Sequence, residues 1–337
     1  MEIKHRIRVL VVDDSIVFRE VLVRGLSQDP VIEVVGTAQD AFTARERILQ
    51  LEPDVMTLDI EMPRMSGVEF LHQIMAEHPL PAVLVSSANA TIFDALDAGA
   101  VDFVAKPDVS QGGSMQAFIQ QMIIKIKIAS TAKVGRYKKS GPPAAGQTAG
   151  RVIAIGASTG GTEAILAVLR DLPRGLPGIV IVQHMPPVFT RMYAERLNNI
   201  CKLEVAEAKN GDAVLPGKAL IAPGGFQMRL VKDKGGYAVR VLEGERVNGH
   251  APSVDVLFDS VAETAGKQAV GIILTGMGGD GAKGLLHMRE KGAYTIGQDE
   301  KSCVVYGMPM VAYNLGAVAK QAPLSAVADE LLRFLHG

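Results

Sequence analysis

Short apolar runs alternate with segments of helical spacing along the first third of the chain. In segments 15–26 and 41–51, apolar residues recur at the three- and four-residue spacing of an amphipathic helix. The runs that predict strands are IRVLVV (7–12), VVG (34–36), DVMTLD (54–59), PAVLVSS (81–87) and DFVAK (102–106). Strands and helices that alternate in this way predict a doubly wound parallel α/β sheet.

The second half of the chain shows the same alternation with different motifs. The runs VIAIG (152–156), GIVIVQH (178–184) and AVGIILTG (269–276) are short, β-branched and bounded by glycine or polar residues. Such runs are typical of strands that are buried in a parallel sheet. Residues 214–250 are more irregular and predict a hairpin excursion. We therefore expect a second, larger, Rossmann-like parallel α/β domain.

Residues 130–150 separate the two patterned regions. This stretch is rich in Gly, Pro, Ser, Ala and Lys, and Val134 and Tyr137 are its sizeable apolar residues. Such a composition does not bury a core, so it favours a flexible linker over a basic interaction tail. The predicted organisation is a first domain at 1–129, a linker at 130–150 and a second domain at 151–337.

Charge and composition narrow the class of protein. The net charge of −1 divides into −7 for residues 1–129, +4 for 130–150 and +2 for 151–337, so no part has the basic character of a nucleic-acid-binding domain. No apolar run approaches the roughly 18 residues of a membrane helix, and no signal-peptide pattern is present. Cys201 and Cys303 fit no disulfide or zinc framework. We expect a cytoplasmic protein without a membrane span or a nucleic-acid partner.

Carboxylates follow the apolar runs of the first domain. Asp13 and Asp14 follow the first run and Asp59 ends the third, while Ser86 and Ser87 stand at the end of the fourth and Lys106 ends the fifth. Ligands of an open parallel sheet bind outside the carboxyl ends of its strands. Three converging carboxylates would repel one another unless a cation lay among them, and a cluster of oxygen ligands alone suits Mg²⁺. A strand-end Asp or Ser taken alone also fits a helix N-cap, but the complete ordered set favours a functional site.

The segments VVDDS (11–15), LDIEMPRMSG (58–67), VSS (85–87) and DFVAKP (102–107) resemble the receiver domain of two-component response regulators, which has a flavodoxin-like fold. The resemblance implies that Asp59 accepts a phosphoryl group from a histidine kinase, and that Asp13, Asp14 and Asp59 bind Mg²⁺. It also implies that Ser86 is the switch hydroxyl, Phe103 the switch aromatic and Lys106 the partner of the phosphoryl group. The stretch 87–99 is shorter than the family pattern and predicts an abbreviated fourth helix.

Residues Gly156–Gly160 fit the pattern G-x-S-x-G, with Ser158 at its centre. In a strand–turn–helix this pattern exposes the serine at the edge of the sheet, and the free N–H groups of the following helix can form an oxyanion hole. A glycine-rich turn at this place also binds phosphates or dinucleotides. The motif by itself therefore leaves catalysis and anion binding open.

A histidine and an aspartate follow two other runs of the second domain. His184 ends the run 178–184, which makes it the candidate base on the same rim as Ser158, and Asp280 follows the run 269–276. Asp280 alone would be a helix N-cap; with the other two it is the candidate that orients the imidazole.

The other candidates for these roles are weaker. His250 lies in a loop and is a weaker base candidate that could line the site. His287 lies on a predicted helix and is expected to be structural. Asp255 and Asp259 are assigned to the solvated face of a helix.

A second resemblance covers nearly all of residues 151–337. The blocks that carry it are IAIGASTGGTEA (153–164), QHMPPVFTRMYAERLN (183–198), VLPGKALIAPGG (214–225), PSVDVLFDSVA (252–262), GIILTGMGGDGAKG (271–284) and CVVYGMP (303–309). Together they resemble the catalytic domain of the chemotaxis protein-glutamate methylesterases. Gly279 and Gly297 depart from the pattern expected there.

The second resemblance implies a carboxylic ester hydrolase that needs no metal for its chemistry. Ser158 would be the nucleophile, His184 the base and Asp280 the orienting acid, with Thr159, Gly160 and Met277 lining the substrate and oxyanion site. The implied substrates are methylated glutamates of methyl-accepting chemoreceptors, and glutamine deamidation is a second implied activity. The unphosphorylated receiver is expected to cover the catalytic rim.

Two other classes of function compete with this one. The first is a receiver-controlled nucleotide- or phosphate-binding module without esterase activity, which would keep its ligand after Ser158→Ala. The second is a DNA-binding response regulator, which would need a small, basic helix-turn-helix output. Residues 151–337 are too large, too near neutral charge and too clearly α/β for that output.

Overall fold

A computed structural model of the chain describes residues 6–86, 91–107, 114–130 and 150–336. The chain forms two compact units, and the boundary between them falls within residues 131–149, which are not described. The predicted linker therefore lies, apart from Ser130 and Gly150, outside the described residues. Each unit is a parallel α/β structure with its own core.

The first unit is a five-stranded parallel sheet in the order β2-β1-β3-β4-β5. Its strands are β1 (Ile7–Val12), β2 (Ile32–Ala38), β3 (Val55–Asp59), β4 (Ala82–Ser86) and β5 (Asp102–Ala105). Its helices are α1 (Ile16–Leu26), α2 (Ala41–Leu51), α3 (Gly67–Glu77), α4 (Thr91–Asp97) and α5 (Met115–Ala129). The predicted doubly wound fold is confirmed, and α4 spans seven described residues, in keeping with the predicted short fourth helix.

Local sequence explains why these helices begin where they do. The hydroxyl of Ser15 accepts a hydrogen bond from the Phe18 N–H, and the carboxylate of Asp40 accepts one from Thr43. Ser66 and Glu69 cap α3 reciprocally. Each cap gives a partner to an N–H group that the first turn of a helix leaves unsatisfied. The caps fix the strand-to-helix turns at the carboxyl edge of the sheet.

The second unit is a seven-stranded parallel sheet in the order β14-β13-β12-β6-β7-β9-β8, with a separate antiparallel pair β10-β11. Its strands are β6 (Val152–Ala157), β7 (Gly178–Gln183), β8 (Glu204–Glu207), β9 (Lys218–Ile221), β10 (Gln227–Asp233), β11 (Gly236–Leu242), β12 (Ala269–Ile273), β13 (Tyr294–Gln298) and β14 (Lys320–Ala322). Its helices are α6 (Gly161–Arg170), α7 (Phe189–Ile200), α8 (Val254–Ala265), α9 (Ala282–Glu290), α10 (Met308–Asn314) and α11 (Leu324–His336).

The order of the strands creates a switch point between β6 and β12. The chain leaves β6 toward β7 on one side and returns later to β12 on the other side. Open α/β sheets bind their ligands at such a point, in the crevice outside the carboxyl ends of the strands. In the first unit the switch point lies between β1 and β3 for the same reason.

Two details of the second unit differ from the sequence-based expectations. The hairpin predicted within 214–250 exists as β10-β11, but β9 pairs in parallel with β7 and β8 and so belongs to the main sheet. The assignment of Asp255 to a solvated helix face is wrong, because α8 is packed between the sheet, the β10-β11 hairpin and α9. Asp259 is half-exposed, as expected.

Candidate active site and phosphoacceptor site

Ser158 lies one residue past the end of β6, in the tight turn that leads into α6. Its N–H donates to the carbonyl of Thr275 at 3.0 Å, and its carbonyl accepts from Gly161 at 2.7 Å. Gly160 adopts a left-handed φ of 73°, and a Cβ at that position would lie 2.6 Å from Cβ of Val304. A glycine is therefore required there, both for the backbone conformation and for the space.

The turn leaves two N–H groups at the start of α6 available to a ligand. Among the described residues, no acceptor receives the N–H of Thr159 or of Gly160. The N-terminus of a helix carries partial positive charge, so these two groups suit an oxyanion. Met277 follows β12 by four residues with its side chain half-exposed.

His184 is the residue that follows β7, and its side chain lies in the buried interior. Its Nε2 lies 2.8 Å from Oδ2 of Asp280, and its backbone N–H donates to the Ala157 carbonyl at 3.2 Å. Its Nδ1 is buried and has no hydrogen-bond partner among the described residues. The side chains of Ser158 and His184 thus make no hydrogen bond in this structure, as is common in serine sites without substrate.

Asp280 is held by donors from two segments besides His184. Its carboxylate accepts hydrogen bonds from the Asn248 amide (2.7 Å), the Ser253 hydroxyl (2.7 Å) and the N–H groups of Val254 (2.7 Å) and Asp255 (3.3 Å). Asp280 therefore caps the N-terminus of α8 while it contacts the imidazole. Burial favours the neutral acid, but the hydrogen bonds from His184, Asn248 and Ser253 outweigh it and hold the pKa of Asp280 well below its usual range.

Two further residues belong to the surroundings of the site. The sequence did not point to Asn248, whereas His250 was predicted to be a weaker base candidate that could line the site. The His250 ring stacks on the His184 ring with centroids 3.7 Å apart and an interplanar angle of 8°. The signal in the sequence was the dipeptide Asn248-Gly249, which is typical of a tight two-residue turn. His287, expected to be structural, pairs with Asp259 and Glu263 on α8.

The second cluster of functional side chains lies at the switch point of the first unit. Carboxylate oxygens of Asp13, Asp14 and Asp59 all lie within 4.8 Å of one another. Lys106 Nζ lies 2.6 Å from Oδ2 of Asp59 and 3.2 Å from Oδ2 of Asp13. The structure therefore brings together the carboxylates and the lysine that the sequence singled out.

Burial and neighbouring charges make the ionised form of Asp59 unfavourable. Burial raises the pKa of Asp59 to about 6, with Lys106 opposing the shift and the negative charge of Asp13 adding to it. A desolvated group of oxygen ligands with excess negative charge fits a hard divalent cation such as Mg²⁺. Ser86, at the end of β4, and Phe103, the second residue of β5, are both buried.

The fold and the two sites define a class of protein: a doubly wound unit with a cluster of carboxylates and a lysine at its switch point, followed by an α/β unit that carries serine, histidine and aspartate at adjacent strand ends. Comparison with known families agrees with this class. The CheB methylesterase family matches residues 153–331, and the response regulator receiver domain matches residues 9–112. The chain belongs to the protein-glutamate methylesterase/protein-glutamine glutaminase family and carries a receiver domain.

Individual relatives cover almost the whole chain. A protein-glutamate methylesterase/protein-glutamine glutaminase 2 of Syntrophomonas wolfei is 59% identical over 98% of this chain and 98% of its own length. The corresponding protein of Salmonella typhimurium is 47% identical over 97% of this chain and 96% of its own. The crystal structure of the Thermotoga maritima CheB methylesterase catalytic domain is 36% identical, with a TM-score of 0.54, and covers 56% of this chain and 100% of that domain.

These matches confirm the predicted class of methylesterase with a receiver domain, and the nucleotide-binding alternative receives no support from them. The described residues contain no helix that is long and apolar enough to cross a membrane.

Proposed function

We propose that the chain is a phosphorylation-regulated serine hydrolase of the cytoplasm. It hydrolyses glutamate γ-methyl esters on methyl-accepting chemoreceptors, for adaptation in bacterial chemotaxis, and also deamidates their glutamines. Residues 1–129 are the receiver, 130–150 the linker and 151–337 the catalytic domain. The observation that carries the proposal is the His184–Asp280 hydrogen bond at the strand ends beside Ser158.

In this mechanism Ser158 is the nucleophile and His184 the base. As Oγ attacks the ester carbonyl, its proton passes to Nδ1 of His184, which has no hydrogen-bond partner within the described parts of the chain. The imidazolium that forms is stabilised by Asp280, which accepts the hydrogen bond from Nε2. Proton transfer at a positioned base of this kind contributes about 10²- to 10⁴-fold to the rate.

The tetrahedral intermediate carries a negative charge, which hydrogen-bond donors must stabilise. The N–H groups of Thr159 and Gly160 stabilise its oxyanion, and Met277 contacts the substrate at the mouth of the site. His184 returns the proton to the leaving methoxide, so methanol departs and an acyl-Ser158 remains. Water, deprotonated by His184, then releases the glutamate. With a glutamine substrate, ammonia leaves in place of methanol.

The receiver supplies the regulation in this proposal. Asp59 accepts a phosphoryl group from a chemotaxis histidine kinase, and Asp13, Asp14 and Asp59 bind Mg²⁺, which neutralises charge during phosphoryl transfer when it is bound. Lys106 contacts the phosphorylated carboxylate, and the Ser86 hydroxyl and the Phe103 ring respond to it. The unphosphorylated receiver restrains the hydrolase, and the opposite net charges of the receiver and of the remainder favour that restraint.

One assay tests both parts of the proposal. Methanol release from methylated receptor membranes is measured for the wild type, Ser158→Ala and Asp59→Asn, each with and without a small phosphoryl donor and Mg²⁺. We expect the donor to accelerate the wild type, to leave Asp59→Asn at the basal rate and to leave Ser158→Ala inactive. Methanol release by Ser158→Ala at the wild-type rate would refute the hydrolase mechanism. Equal acceleration of Asp59→Asn would refute the regulation.

A further inference from the structure

The segment Val247–His250 is a tight turn whose tip lies against the candidate triad. The N–H of Val247 donates to the His250 carbonyl at 3.0 Å, and the N–H of His250 donates to the Val247 carbonyl at 2.9 Å. Both central residues have positive φ, 53° at Asn248 and 83° at Gly249. These are the features of a type I′ turn, for which Asn-Gly is the preferred sequence.

The amide of Asn248 lies between two buried carboxylates. Its Nδ2 donates to Oδ1 of Asp280 at 2.7 Å and to Oδ2 of Asp255 at 2.8 Å. An amide has two N–H protons, so this group gives one to each carboxylate. Burial raises the pKa of Asp255, and the charge of Asp280 raises it further. Without the amide the two carboxylates would lose the donor that they share, and neighbouring carboxylates of this kind take up a shared proton.

The same turn also fixes the imidazole. His250 follows the turn, and its ring covers one face of His184 at a centroid distance of 3.7 Å. The titratable groups that face Asp280 and its cleft are His184 from the end of β7, His250 from the turn, Asp255 from α8 and Lys283 from α9. The neutral amide of Asn248 lies among these groups and donates a hydrogen bond to both Asp280 and Asp255.

We propose that the Val247–His250 turn is a positioning element of the active site. Its Asn248 amide keeps Asp280 and Asp255 apart and directs Asp280 to His184, while its His250 ring holds the plane of the base. The inference rests on the proposed function only in giving His184 and Asp280 their catalytic roles. Asn248 acts through Asp280 and is a positioning residue, with no contact to the substrate required.

Substitution of Asn248 in the full-length protein tests the proposal by kinetics. Asn248→Gly keeps the positive φ without strain and removes only the amide, so we expect kcat to fall about 10- to 100-fold with little change in KM. The acid limb of the kcat–pH profile should move to higher pH, because a proton now binds between the two acids. Adding Asp255→Asn should move that limb back. A changed KM with an unchanged acid limb would overturn the proposal.

Asn248→Asp separates positioning from a purely structural role. Aspartate has the shape of asparagine and also tolerates a left-handed backbone, so a structural role would make this the mildest substitution. The proposed role makes it the most severe, because a third carboxylate replaces the donor. We expect kcat of Asn248→Asp to be below that of Asn248→Gly. The reverse order would contradict the inference.

A readout that needs no esterase activity keeps this inference separate from the proposed function. In the Ser158→Ala protein with ¹⁵N-labelled histidine, the Nε2–H proton of His184 is followed by NMR. Asn248→Gly and Asn248→Asp should both shift or broaden that resonance, because Asp280 loses its orientation. If neither changes it, the inference is wrong even where the esterase assay succeeds. If both substitutions change the resonance but the wild-type protein has no esterase activity, the proposed function is wrong and this inference stands.

Discussion

Asp280 contacts His184 through Nε2 and leaves Nδ1 buried without a hydrogen-bond partner in the described chain. In the serine-protease arrangement the aspartate binds Nδ1, so His184 presents the other ring nitrogen to its aspartate. The backbone N–H of His184 donates to Ala157 at the end of β7, and Asp280 accepts from the first N–H groups of α8.

The first expected outcome concerns the tautomer of His184. Because ionised Asp280 accepts at Nε2, neutral His184 should carry its proton there and expose a lone pair at Nδ1. Nitrogen-15 NMR of the histidine-labelled protein above pH 7 distinguishes the two tautomers. In Asp280→Ala the preference should weaken. A proton on Nδ1 in the wild type would contradict the mechanism.

Ser158→Ala should abolish ester hydrolysis without unfolding the protein. The loss in kcat should be about 10⁶-fold, the scale seen when a serine nucleophile is removed. Circular dichroism should give the same melting temperature within error, because the hydrogen bonds of Ser158 to other described residues come from its backbone and not from its hydroxyl. His287→Gln is the matched control: it alters a surface ion-pair cluster on α8, and its kcat should equal that of the wild type.

Asp280→Asn should reduce both rate and stability. The rate should fall roughly 10⁴-fold, as when the triad aspartate is replaced elsewhere. The asparagine NH₂ must replace either Oδ2, which accepts from His184 and Val254, or Oδ1, which accepts from three other donors, so at least one donor–donor contact forms. We expect about 1–3 kcal/mol of lost stability from this contact, measured by urea denaturation. Asp259→Asn, at a half-exposed position on α8, should change neither quantity.

Gly276→Ala should displace the nucleophile. A Cβ at Gly276 would lie 2.4 Å from Sδ of Met308 and 2.8 Å from Cβ of Ser158, so the turn must move. A shift of about 1 Å in a catalytic group can cost about 100-fold in rate, and we expect a loss of kcat of that order. Gly236→Ala is the control, because its nearest atom is 3.9 Å away. A Gly276→Ala enzyme with normal kcat would show that the crowding has no catalytic consequence.

Asp59 should make the stability of the receiver depend on pH in an unusual direction. Its folded pKa is about 6, above the value of about 3.9 for an unfolded aspartate. Between these two values the folded state binds more protons, so the free energy of unfolding should fall as pH rises from about 4 to 6 and then level off.

The free energy of unfolding is measured by urea denaturation, followed by circular dichroism in EDTA. The value for Asp59→Asn is subtracted from that of the wild type to isolate this residue. A stability difference that grows with pH would contradict the electrostatics described above. Added Mg²⁺ at neutral pH should stabilise the wild type more than Asp59→Asn, because the cation favours the ionised carboxylate.

The strand ends were predictable because the strands before them are continuous apolar runs. Ser158, His184 and Asp280 each follow such a run, and a parallel sheet places those ends on one edge. The strands that were missed are short or polar: β8 reads Glu-Val-Ala-Glu, and β14 has three residues. Their strand conformation comes from pairing with neighbours, and no local pattern records it.

The surroundings of the site were less predictable because they depend on distant contacts. Asp255 has the spacing of a polar helix face, yet α8 is covered on that side and Asp255 accepts from the Gly284 N–H and the Asn248 amide. The Asn248-Gly249 dipeptide predicts a turn but says nothing of which carboxylate the turn meets. Helical periodicity describes one element at a time, and these contacts join several.

Because Asp280 caps the N-terminus of α8, loss of this proposed orienting residue would also weaken the fold. A mutation that removes this carboxylate deprives Ser253, Val254 and Asp255 of their acceptor as well as His184 of its partner. In a cell, a destabilised chain is degraded faster than an intact one. Variants that have lost Asp280 would therefore be degraded as well as inactive. They would seldom accumulate as inert proteins that compete for the same kinase.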